Sequence, residues 1–170
     1  PRRAAELVDR FGWSPVALLN KVDRLYPGRG DKARRAAEGI RFGPHARHHL
    51  DVWVPSHPAS AKLPVVVFFY GGGWHAGERA DYGFAAAAFA SQGFVAVVPD
   101  YRLVPEARYP DFLEDAALAL RWVWQNIAHY GGDPNKIAVS GHSAGAYIAA
   151  MLALDPRWLA AVQLPPHTIK

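Results

Sequence analysis

A run of β-branched and aromatic residues, Val65–Tyr70 (VVVFFY), ends abruptly at three consecutive glycines, Gly71–Gly73. A run without polar alternation suits a central strand buried on both faces. Such strands belong to parallel sheets covered by helices, and the rest of the chain follows that plan. Phe94–Val98 (FVAVV) reads as another buried strand, Ile137–Ser140 (IAVS) as a short strand, and Leu50–Val54 (LDVWV) as a half-buried strand stopped by Pro55. Between them, Asp81–Ser91 is alanine-rich and helical, closed by Gly93. Asp111 is expected to cap a long helix, with Glu114 three residues on, as in a capping box. Phe112, Ala116, Leu120, Val123 and Ile127 share one face of that helix, and Gly131-Gly132 end it. Ala146–Leu154 continues as a helix of small and apolar residues. Strand alternating with helix predicts an α/β domain.

Residues 1–39 read as a separate helical arm or cap segment, with the α/β domain over 40–170. Ser14-Pro15 is a helix start, Val16, Leu19, Val22 and Leu25 recur at helical spacing, and Pro27-Gly28 stop it. Much of the basic excess lies here, from Arg2 to Arg35. The net charge is only +4, and no basic stripe interleaves with aromatics, so this is a solvated face and no nucleic-acid partner is expected. No apolar run reaches the ~18–20 residues of a membrane span. The absence of cysteine excludes a disulfide scaffold, a thiol nucleophile and a cysteine-ligated zinc. The first residue is proline, so the intact translation product is not expected. The cytoplasm is the favoured location, with export after removal of a signal left open.

Two glycine motifs carry the chemistry. Gly141-His142-Ser143-Ala144-Gly145 is a G-x-S-x-G that follows a short apolar strand and opens a helix. That is the setting of a nucleophile elbow, where the serine sits on a tight turn and only small residues fit two before and two after it. The helix N-terminus favours negative charge there. The bland alternative is a tight turn with an idle serine. Tyr70-Gly71-Gly72-Gly73-Trp74 follows the buried strand, and its glycines let backbone N–H groups turn toward a ligand, as an oxyanion hole requires. The alternatives are a flexible loop or a phosphate cradle, and no Lys-Ser/Thr follows as in a P-loop.

Together with Asp100-Tyr101-Arg102-Leu103, Pro105-Glu106 and Gly132-Asp133-Pro134, these motifs resemble the α/β-hydrolase esterase/lipase group. That group includes hormone-sensitive-lipase-like enzymes, carboxylesterases and kynurenine-formamidase-like enzymes. The likeness covers roughly residues 40–155. It implies a three-layer α/β/α sandwich with a mostly parallel sheet, of which the C-terminal strands are missing. It also implies that Ser143 is the nucleophile and that the N–H groups of Gly72, Gly73 and Ala144 form the oxyanion hole. Tyr70 stands where the family more often has histidine. Tyr70, Trp74, His75 and His142 are candidates to line the pocket. His142 is read as packing in the elbow, and Asp100 and Arg102 as braces.

His45, His48, His49 and Asp51 could mimic a metal cluster, but adjacent histidines on a strand point to opposite faces, so no metal or other cofactor is expected. An activated serine needs a base and an orienting acid, in the chain order Ser, Asp or Glu, His. After Ser143 only Asp155 and His167 qualify. Asp155 lies about 18 Å along a helix at ~1.5 Å per residue, and no strand is expected to deliver His167. The resulting expectation is a serine hydrolase of carboxylic esters, with an aryl formamide as the lesser substrate. The chain would be weak or inactive alone, its acid and histidine lying in sequence not present. A non-catalytic small-molecule-binding module and an inert fragment are the rivals. Nothing in the sequence sets the oligomeric state. The edge beside the elbow strand should be a pairing liability.

Overall fold

The computed structural model describes residues 32–57 and 60–170. The helix expected over 14–27 lies outside those residues. The described chain forms a five-stranded mixed sheet in the order β1-β2-β4-β3-β5. Its strands are β1 (Ala33–Arg41), β2 (His49–Pro55), β3 (Leu63–Phe69), β4 (Val95–Pro99) and β5 (Gly132–Gly141). The helices are α1 (Gly83–Ser91), α2 (Asp111–Asn126), α3 (Ala144–Leu154) and α4 (Pro156–Ala161).

The three apolar runs form the sheet's parallel part, with β3 between the other two. β3 pairs in parallel with β4 on one side and with β5 on the other. β1 and β2 extend the β4 edge in antiparallel fashion. From β3 the chain passes through α1 to β4, then through α2 back across β3 to β5. Right-handed crossovers in opposite directions put α1 and α2 on opposite faces, giving three layers. α1 packs on β1, β2 and β4, while α3 packs on β5 and β3 and against α2. The core is the interior of this sandwich, including Leu50, Val52, Val65, Val97, Leu113, Leu120, Ile137, Ile148 and Leu152.

Three local expectations change. The sheet begins at Ala33, so residues 33–39 are strand and the expected helical boundary at residue 40 falls inside β1. Alanine, arginine and glutamate favour helix here, but pairing with β2 and burial of Ala33 override that weak preference. Asp111 is the first residue of α2 and not its cap. Pro110 holds the cap position, and Asp111 Oδ2 instead accepts the Arg108 N–H at 2.8 Å. The C-terminal tail does meet the sheet: Ile169 bridges Ile137 in parallel, and the Lys170 N–H donates to the Ile137 carbonyl at 2.9 Å. The β5 edge is therefore met by the tail at Ile137, midway along the strand.

Candidate active site

The direction of the chain reverses its lateral drift at β3, so the carboxyl ends of β3 and β5 flank a topological switch point, where open α/β sheets bind ligands. Both glycine motifs emerge there. Ser143 leaves β5 with φ 52° and ψ −116° and caps α3. A non-glycine residue in that backbone region is strained and persists because its surroundings hold it. Here the hold is visible. The His142 N–H donates to the Phe69 carbonyl at 3.1 Å, and the Ser143 carbonyl accepts N–H groups from Ala146 and Tyr147 at 2.9 and 3.2 Å. Gly145 fits because it has no side chain: a Cβ there would lie 2.0 Å from the Phe69 carbonyl oxygen. The same crowding joins the two motifs, since a Cβ on Gly71 would meet Ser143 Cβ at 3.2 Å. Ser143 is exposed.

The glycine loop is a closed turn. The Gly72 carbonyl accepts N–H groups from His75 and Ala76, each at 3.1 Å. Gly72 has φ 145°, and a Cβ there would strike the Ala76 carbonyl oxygen at 2.0 Å. The Gly71 N–H donates to the Tyr82 hydroxyl at 3.2 Å, and that hydroxyl lies 3.0 Å from His142 Nδ1. Among the described residues no protein acceptor takes the N–H groups of Gly72, Gly73 or Ala144.

Beside the loop lies an open cleft of about 420 Å³ walled by Trp74, Val104, Tyr109, Phe112 and Tyr147, with His75 at its margin. The Trp74 ring stacks on Phe112 at 5.6 Å and meets Tyr147 edge-on at 5.9 Å. Trp74 and His75 both border this cleft. Tyr70 does not: it is fully buried, because its ring packs on Tyr101 at 4.5 Å and its hydroxyl is held by Arg47. His142 does not line this cleft either, being turned to Tyr82.

A family model described as BD-FAE matches residues 50–158. The chain belongs to the BD-FAE family. It is 38% identical over 125 residues to Esterase LipC of Mycobacterium tuberculosis, covering 71% of this chain and 31% of that protein. It is 50% identical over 94 residues to Carboxylesterase NlhH of the same organism, covering 54% of this chain and 29% of that protein. The solved structure of esterase B from Lactobacillus rhamnosis superposes with a TM-score of 0.75 at 21% identity, covering 96% of this chain and 53% of that chain. The fold is therefore that of an α/β-hydrolase in the esterase/lipase group. This BD-FAE chain spans about 30% of the length of the curated relatives it matches.

Neither candidate partner for Ser143 reaches it within this BD-FAE chain. Parallel pairing at Ile137 means that the residues before Ile169 run toward the start of β5, away from the elbow. Gly141 is itself about 13 Å from Ile137 at ~3.3 Å per residue. His167 thus lies at the far end of the sheet. Asp155 ends α3 and is engaged by Arg157, whose Nη2 donates to its Oδ2 at 2.7 Å.

Charged pairs brace the site from behind. Asp100 accepts the Arg79 N–H at 2.8 Å and a guanidinium hydrogen bond from the same residue, and Arg79 Nε also donates to Asp51 at 2.8 Å. Arg102 Nε donates to Asp115 at 2.9 Å, which makes it the brace that the sequence suggested. His48 Nε2 lies 2.9 Å from the same fully buried Asp115. Burial pushes the His48 imidazole below its ordinary pKa, more than Asp115 raises it. The suspected His45–Asp51 cluster is thus divided: Asp51 serves Arg79 and His48 faces Asp115. Among the described residues no group of three such side chains could hold a metal, and no helix is long and apolar enough to cross a membrane.

Sequence reasoning missed Arg47 and Tyr82. Arg47 acts on partners 23, 30 and 54 residues away, so its neighbours carry no local signal. Tyr82 lies 11 residues from Gly71 but 60 from His142.

Proposed function

We propose that Ser143 is the nucleophile of a serine hydrolase acting on carboxylic esters. Its Oγ attacks the ester carbonyl carbon, and the N–H groups of Gly72, Gly73 and Ala144 receive the resulting oxyanion. The alcohol leaves, and water then releases the acid from the acyl-serine. The reading rests chiefly on the strained backbone of Ser143, φ 52°, wedged against Gly71 at the switch point. Strain of this kind at a strand-to-helix turn exposes a serine at the top of the sheet. The esterase names of LipC and NlhH agree with it. The base and its acid come from chain beyond these residues, because no histidine of the described residues hydrogen-bonds Ser143.

A p-nitrophenyl alkylphosphonate tests the nucleophile. Ser143 Oγ attacks phosphorus, p-nitrophenolate leaves, and peptide mapping finds the adduct. We expect modification at Ser143 and not at Ser56 or Ser91, and its loss in Ser143→Ala. Equal modification of those other serines, or none in the complete protein that supplies the base, would refute the assignment. With p-nitrophenyl butyrate the chain alone should show only weak turnover, little changed by Ser143→Ala. Oxyanion donors and binding alone accelerate roughly 10³–10⁴-fold over water when a triad member is gone. Strong Ser143-dependent turnover would overturn the missing base and leave the nucleophile standing.

Among the described residues no imidazole hydrogen-bonds Ser143, which also favours a second reading, a non-catalytic module that binds a small ligand in the aromatic cleft. Tight binding of an ester without turnover by the complete protein would select it.

A further inference from the structure

Arg47 lies in the turn between β1 and β2, outside both glycine motifs. Its guanidinium nevertheless spans the glycine loop. Nη2 donates to the Tyr70 hydroxyl at 2.9 Å and to the Gly77 carbonyl at 2.8 Å, and Nε donates to the Tyr101 carbonyl at 2.9 Å. Tyr70 is the residue before the three glycines, and Gly77 is the residue where the turn closes. Gly77 packs back on the start of the loop so tightly that a Cβ there would lie 2.7 Å from the Gly71 carbonyl oxygen and 2.9 Å from the Tyr70 ring. One cation therefore holds both ends of the segment that carries Gly72 and Gly73.

The choice of partners is informative. A half-buried guanidinium normally seeks a carboxylate. Asp100 is near, at 3.8 Å, but its close hydrogen bonds go to Arg79. Arg47 instead directs its donors at three uncharged groups that all follow the carboxyl ends of β3 and β4. The strand ladders do not need it, because those acceptors lie beyond the paired residues. The planar fork suits several acceptors in fixed directions, which an ammonium cannot copy. Tyr70 is anchored at both ends. Its carbonyl accepts the Tyr101 hydroxyl at 2.8 Å, and its own hydroxyl stays a neutral phenol because burial and Asp100 raise its pKa.

We infer that Arg47, acting through Tyr70 and Gly77, is the positioning residue of the glycine loop and aims the Gly72 and Gly73 N–H groups at the reacting centre. This rests on the oxyanion role proposed above. Arg47 touches no reacting atom. Its effect is on where the donors point, and a single oxyanion donor is worth roughly 10²–10³-fold in rate.

The experiment measures the rate constant for phosphonate modification of Ser143, with the melting temperature and amide hydrogen exchange, in wild type, Arg47→Gln, Arg47→Lys, Tyr70→Phe and the double variant Arg47→Gln/Tyr70→Phe. We expect Arg47→Gln to slow modification about tenfold or more and to speed exchange at His75 and Ala76, whose N–H groups close the loop on the Gly72 carbonyl, while β3 amides stay protected. Arg47→Lys recovers part of the rate. Tyr70→Phe slows modification less, and the double variant falls within about twofold of Arg47→Gln, because the two share one contact. If Arg47→Gln does not fold, Tyr70→Phe alone must still show the rate loss and faster loop exchange. Modification of Arg47→Gln at the wild-type rate would overturn the inference while leaving the oxyanion reading intact. So would a rate loss with uniform loss of protection across β3 and the loop, the mark of a merely structural role. A complete protein unmodified at Ser143, with the base supplied, would remove the oxyanion reading and this inference with it.

Discussion

Gly145→Ala puts the packing of the elbow to a quantitative test. The added Cβ would lie 2.0 Å from the Phe69 carbonyl oxygen, 2.4 Å from its carbon and 2.5 Å from the Tyr70 carbonyl oxygen. All three atoms are backbone, so none can swing away as a side chain could. Restoring an ordinary contact of 3.4 Å requires α3 and the end of β3 to part by more than an ångström. That shift also stretches the His142-to-Phe69 hydrogen bond, now 3.1 Å. Overpacking of this kind costs about 1–3 kcal/mol, and we take the upper end because backbone must move. The lost hydrogen bond adds about 1 kcal/mol. Alanine returns up to about 1 kcal/mol of helix preference. The net is about 3 kcal/mol, which lowers the melting temperature by roughly 6–12 °C at this chain length. Gly93→Ala is the control. Unlike Gly145 it has positive φ, 88°, but a Cβ there meets nothing within 4 Å, so it should cost only about 1–2 kcal/mol of backbone strain. Calorimetry of the two variants decides the matter. If Gly145→Ala melts no lower than Gly93→Ala, crowding does not hold the elbow in place.

Two further outcomes follow from the buried charges. Asp115→Ala strands Arg102 and His48 and should lower stability by about 3–5 kcal/mol, read as a fall in the urea midpoint; an unchanged midpoint would show that Asp115 braces nothing. His48 binds its proton less readily folded than unfolded, because burial outweighs the pull of Asp115, with His45 and Arg102 also opposing the charge. As pH falls below about 6.5 the unfolded chain takes up that proton first, so stability should decline there. Above that value His48 contributes no slope. Urea melts between pH 7.5 and 5 should show the decline flattened in His48→Gln, and an equal slope in both proteins would exclude His48 as its source.

Much of the fold could be read from local chemistry. The runs at 65–70 and 94–98 became buried inner strands because only a doubly covered sheet accepts so many adjacent apolar residues, and the shorter run at 137–140 lies at the edge and is only partly buried. The two glycine motifs were legible because steric need at a tight turn restricts residue type over a few positions. β1 was not legible, since its alanines, arginines and glutamate favour helix and only pairing with β2 decides otherwise. Asp111 failed as a cap because Pro110 took that position and Arg108 offered a nearer donor. Tyr70 follows the glycine pattern in sequence but turns inward, a direction set by Tyr101 and Arg47 from distant parts of the chain. The tail at 169–170 lacks strand character of its own and is recruited by unpaired groups on β5.

The position of Arg47 ties the site to an outer margin of the sheet. It sits in the turn that joins β1 to β2, and β1 is an outermost strand with several exposed side chains and a broken register. Proteins open first at such margins, in small cooperative units whose free energies fall well below that of global unfolding. When this hairpin lifts, the guanidinium leaves with it and the glycine loop loses both of its tethers at once. Under the oxyanion role proposed above, the fraction of molecules with a correctly aimed glycine loop would then follow the local opening equilibrium of a hairpin whose strands lie on the far side of β4.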